Sequence, residues 1–109
     1  MYFVLATLRA SPGSAVPDGL VTSLSSWATA EDRLQHLVAH VTGPRTVALG
    51  LFLVAPRLAE AERTAAVLCR RAIQADPALR NLELIDCQSP LIGRFYERML
   101  DVPRPGWTE

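Results

Sequence analysis

The chain has 109 residues, half of them apolar and a fifth charged, with eleven basic residues balanced by eleven acidic ones. That length suits one domain. Zero formal net charge gives no general attraction to nucleic acid or to an anionic membrane.

Tyr2–Arg9 (YFVLATLR) is β-rich and apolar on both faces, the pattern of a central strand covered on both sides. Met1–Leu8 lacks a basic lead and runs straight into Arg9, unlike a signal peptide. Ala10–Val16, with Ser, Pro and Gly, reads as a loop. Pro17 suits the first turn of a helix, and Leu20, Val21, Leu24, Trp27 and Ala28 then recur at helical spacing.

Residues 29–42 support two readings. As a helix, Thr29 caps it with Asp32 three residues on, and Leu34, Leu37, Val38 and Val41 form its stripe. As a strand, His36, Val38 and His40 share one face with Leu34. Two features favour the strand. Thr42-Gly43-Pro44-Arg45 is a compact turn suited to a hairpin. Thr46–Ala55 (TVALGLFLVA) is a long strand that needs a partner of matching length, which residues 32–42 supply. Gly50, inside that strand, calls for a bulge or a close approach. The longest apolar run, Val47 to Pro56, is about half of a membrane span.

Pro56–Ala75 is the plainest helix, with Leu58, Ala61, Ala65, Leu68 and Ala72 stepping by three and four. Asp76-Pro77 stops it. Leu82–Cys87 is a short strand, and Leu91–Leu100 can form a short C-terminal helix. Residues 1–100 then form one domain, and Asp101–Glu109 an extended tail. The expected class is α+β, with a ferredoxin-like βαββαβ order: a four-stranded antiparallel sheet, two helices on one face, and the short C-terminal helix. The second sheet face carries Ala48, Phe52 and Val54 against Val47, Leu49, Leu51 and Leu53 on the first. Homodimerisation through that open face, or cover by the C-terminal helix, would bury it.

The chain contains no P-loop, dinucleotide-binding glycine pattern, zincin motif or nucleophile elbow. Cys69 and Cys87 fit no metal spacing, and no cofactor or metal is expected. A cytoplasmic protein with reduced thiols follows. His36 and His40 are the first candidates for acid–base chemistry, because imidazole titrates near neutral pH. Glu97 is a candidate base and Tyr96 a donor under the C-terminal helix. Arg9, near Glu83 and Asp86 if first and last strands are neighbours, is a candidate clamp for an anion or carboxylate. Each has a plain structural alternative: surface histidines, an Arg9 edge ion pair, and a Glu97–Arg94 pair within one helix. The eleven Arg residues, with no Lys, are scattered as GC-rich codon usage would leave them.

Leu58–Glu62 (LAEAE), the helix holding Cys69, Pro90–Ile92 and Phe95–Leu100 (FYERML) together resemble small actinobacterial proteins encoded beside natural-product genes. The likeness covers roughly the C-terminal half. It implies a cofactor-independent biosynthetic enzyme or accessory protein of peptide-antibiotic metabolism. One ferredoxin-like example of that setting forms a C-terminal amide from a dehydroalanine tail in thiopeptide (nosiheptide) maturation. It carries over no site residue. The alternative is a non-catalytic dimerisation or binding module that docks a larger enzyme.

Overall fold

A computed structural model describes residues 1–89. The expected C-terminal helix and tail, with Tyr96 and Glu97, lie outside the described residues. The chain runs β1 (Tyr2–Ala10), α1 (Leu20–Ser26), β2 (Leu34–Val41), β3 (Thr46–Leu53), α2 (Leu58–Ala75) and β4 (Leu82–Gln88). Short 3-10 turns stand before β2 at Ala30–Asp32 and before β4 at Pro77–Leu79. The strands form one antiparallel sheet in the order β2-β3-β1-β4. This is an α+β fold in which each of the two described helices links two strands that are not neighbours.

Residues 34–41 are extended, and Leu37, Val38, Ala39, His40 and Val41 pair in unbroken register with Leu51 to Val47. The helical alternative survives only as a fragment. Asp32 Oδ2 accepts from the Thr29 backbone N–H at 2.8 Å, as a cap should, but the turn closes after three residues. Arg33 then sits in the left-handed region at φ 55°, which no helix continues through. The Arg33 carbonyl accepts from Val54 N–H at 3.1 Å, so β3 draws the chain into the sheet at once.

One sheet face holds the core. Val4, Ala6 and Leu8 of β1 and Val47, Leu49, Leu51 and Leu53 of β3 are fully buried there, beneath Leu20 and Leu24 of α1 and Ala61, Ala65, Leu68, Cys69 and Ala72 of α2. The small side chains of α2 let its axis approach the strands closely, as ridges of Leu or Phe would not. Both helices take part in this one core.

Four expectations need correction. Pro17 does not open α1; the helix begins at Leu20, because Gly19 takes a left-handed conformation (φ 73°) that cannot lie within a helix. Likewise α2 begins at Leu58, two residues after Pro56, with Arg57 extended. Leu58 is 37% exposed and lies off the buried stripe, since it falls on the first turn before the helix settles on the sheet. Lastly, β1 is central but covered by described residues on one side only: Phe3, Leu5 and Thr7 are half-buried and Arg9 is exposed.

Candidate functional site

Alternation along the strands assigns the second face, open among the described residues. Cross-strand pairing then arranges it in rows: His36 beside Phe52 beside Phe3, Val38 beside Gly50 beside Leu5 beside Gln88, and His40 beside Ala48 beside Thr7 beside Asp86. At the far end, Thr46 stands beside Arg9 and Arg9 beside Glu83. The centre is apolar and aromatic, with the Phe3 and Phe52 rings 4.7 Å apart and the His36 ring 5.8 Å from Phe52. The β2 edge carries imidazoles; the β4 edge carries carboxylates.

Gly50 makes the aromatic centre possible. A Cβ there would lie 2.6 Å from Phe3 Cε1 and 2.9 Å from Val38 Cγ2. The glycine is thus a seat for two side chains that close over the backbone. Of the two reasons for a glycine in this strand, close approach holds, and register passes through Gly50 without a bulge. The bulges sit elsewhere, at the start of β2 between Leu34 and His36 and in β4 beside Thr7 and Leu8.

His36 and His40 share the open face but stand four residues apart, roughly 13 Å at ~3.3 Å per residue, beyond reach of one metal ion. Among the described residues no cluster of three His, Cys, Asp or Glu side chains fits a metal ion. His40 and Asp86 lie at opposite ends of one row, three strand spacings or about 14 Å apart. Within one chain the fold therefore brings neither histidine to a described carboxylate. Arg9 does meet one: its Nη2 lies 3.3 Å from Glu83 Oε1, with both side chains well exposed.

Residues that sequence reasoning passed over join Arg9 at the sheet end. Ser11, Arg45 and Asn81 line a recess of about 210 Å³ with it and with Glu83, the neighbour that the sequence had suggested. Arg45 comes from the hairpin turn and Asn81 from the turn before β4. Only the strand order brings those loops together, so no local motif could have flagged them. A second hollow, of about 480 Å³, is an open groove along α2 at Val67, Arg70 and Gln74, and none of the described candidate residues lines it. A third, of about 350 Å³, runs between α1 and the start of β2, with His36 at its lining.

Other polar contacts brace the fold. Arg71 Nη1 donates to Asp32 Oδ2 at 2.9 Å and to the Trp27 carbonyl at 3.0 Å. Trp27 Nε1 donates to Asp76 Oδ2 at 3.0 Å, while Asp76 Oδ1 accepts from Ala78 N–H. Burial pushes the Asp32 carboxyl up, but Arg71 and the Thr29 N–H outweigh it and hold the group below the usual carboxylate value. Burial raises the Cys69 thiol to about 12 and the Cys87 thiol to about 11; both are free and would be protonated at neutral pH.

No family model, curated protein or solved structure matches the chain. No described helix is long and apolar enough to cross a membrane.

Proposed function

We propose that the protein is a ferredoxin-like assembly module that forms a homodimer through the open face of its sheet. One observation carries the reading: that face has an apolar centre of Phe3, Leu5, Val38 and Phe52 between an imidazole edge and a carboxylate edge. Val38 is 42% exposed among the described residues, and an apolar centre of this kind is an expected place for protein contact. Four strands of about eight residues span roughly 500 Å² in projection at ~4.8 Å by ~3.3 Å. Side-chain relief brings that towards the roughly 800 Å² per partner of an ordinary stable interface.

The charges choose the symmetry. A two-fold axis running along the strands, between the facing sheets, sets β2 of one copy over β4 of the other. His40 then meets the partner's Asp86, and Phe52 the partner's Phe3. An axis across the strands would set carboxylate edge on carboxylate edge, which is repulsive. The two free thiols suit a cytoplasmic setting for such a module.

Sedimentation of the full chain at micromolar concentration is expected to give a dimer, and Val38→Glu a folded monomer by circular dichroism. A wild-type monomer at that concentration would overturn the reading and point instead to cover by residues 90–109.

A second reading rests on the same dimer. A His40 imidazole oriented by the partner's Asp86 is the base-and-orienter pair that acid–base catalysis requires. A peptide substrate and amide-forming chemistry, as the actinobacterial resemblance implies, would then belong between two copies.

A further inference from the structure

We propose that the recess at the end of the sheet binds a small oxyanion group, a carboxylate or a phosphate monoester, and that Arg45 is its principal contact. This goes beyond the dimer and does not depend on it.

The recess is built from three separate segments: the end of β1, the turn of the β2–β3 hairpin, and the turn before β4. Backbone hydrogen bonds fix them to one another. Ala10 N–H donates to the Arg45 carbonyl at 2.7 Å, and Ser11 N–H donates to the Asn81 carbonyl at 2.9 Å. The rim is therefore set before any ligand arrives, which lowers the ordering cost of binding.

Its charge is unbalanced. Arg9, Arg45 and Glu83 are the ionised lining groups, leaving one positive charge over. Arg45 meets no carboxylate among the described residues. Its Nη1 donates to the Ala10 carbonyl at 3.3 Å, which orients the guanidinium and leaves its other donors for a ligand. A planar fork of donors matches the oxygens of a carboxylate or phosphate. The Asn81 side-chain amide has no partner among the described residues, and the Ser11 hydroxyl makes only a long 3.4 Å bond to the Asn81 carbonyl.

Glu83 models the occupant. Its carboxylate already sits on Arg9, through a single 3.3 Å contact between side chains 49% and 68% exposed. Exposed pairs of this kind are weak and exchange readily. An incoming oxyanion would bind Arg45 and compete with Glu83 for Arg9. At about 210 Å³ the recess is smaller than a pocket for a whole drug-sized molecule, so it suits the charged end of a ligand.

The test is a titration of the ¹⁵N-labelled full chain with inorganic phosphate in one arm and acetate in the other, at constant ionic strength. Saturable shifts are expected at Ser11, Asn81 and the Arg45 Nε–H, and the tighter anion identifies the source. Arg45→Gln should weaken binding at least tenfold. Glu83→Gln should tighten it several-fold, because the internal rival is gone. If Arg45→Gln fails to fold, Arg45→Lys keeps the charge, loses the fork, and should weaken binding several-fold. No saturation in either arm, equal affinity after the Arg45 change, or no gain in Glu83→Gln would overturn the proposal.

Discussion

Gly50 is the residue on which the open face turns. Phe3 and Val38 close over its bare Cα, so the absent side chain shapes the aromatic centre. Ala normally suits a strand better than Gly by about 0.5–1 kcal/mol. Here the new methyl must push the Phe3 ring aside, and overpacking of this kind costs about 1–3 kcal/mol. Gly50→Ala is expected to lower the urea midpoint and to shift the Phe3 and Phe52 ring resonances. An unchanged midpoint would mean that Phe3 swings away freely and holds no fixed place. The sequence marked Gly50 as anomalous in an apolar run, but which side chains need the space depends on the register of β1 and β2 against β3.

At the level of elements, the decisive contact joins the short turn before β2 to α2. Asp32 is 7% exposed and is held by Arg71 and by the Thr29 N–H. A buried carboxylate without its partner would be costly, whereas a partnered one locks the chain's entry into β2. Because the folded-state carboxyl lies below its ordinary value, its contribution is present above the unfolded value near ~4 and is lost as pH falls through the lower folded one. Asp32→Asn should therefore cost about 1–2 kcal/mol at pH 7, allowing for the partial exposure of Arg71. The gap from wild type should narrow as pH falls below the ordinary carboxylate range, as denaturant melts at successive pH values would register; a gap independent of pH would sink this account. The Thr29 and Asp32 spacing was legible as a cap. That the cap governs one turn and not a helix was not, because β3 competes for the same backbone and wins.

For the whole molecule the orientation of the proposed dimer has its own check. With the axis along the strands, position 40 of one copy faces position 86 of the other across about 10 Å, the usual spacing of packed sheets. A short bismaleimide should cross-link His40→Cys protein to Asp86→Cys protein when the two are mixed. Asp86→Cys alone should give little product, and abundant product from it would require the other axis. Buried Cys69 and half-buried Cys87, held as thiols by their raised values, should not compete.

Local pattern alone determined the elements that bury a stripe. Helical spacing in Ala61, Ala65, Leu68 and Ala72 and the apolar run of β3 define their partners almost anywhere they are placed. It also determined the hairpin, since a tight turn between two runs of equal length leaves few other pairings. The tertiary structure decided the rest. Only the order β2-β3-β1-β4 sets histidines at one edge and carboxylates at the other, and only it brings Arg45 to Arg9. Residues 36 positions apart share no local signal; their meeting is fixed by long-range hydrogen bonds and by the core, which close the loops together after the strands have chosen their neighbours.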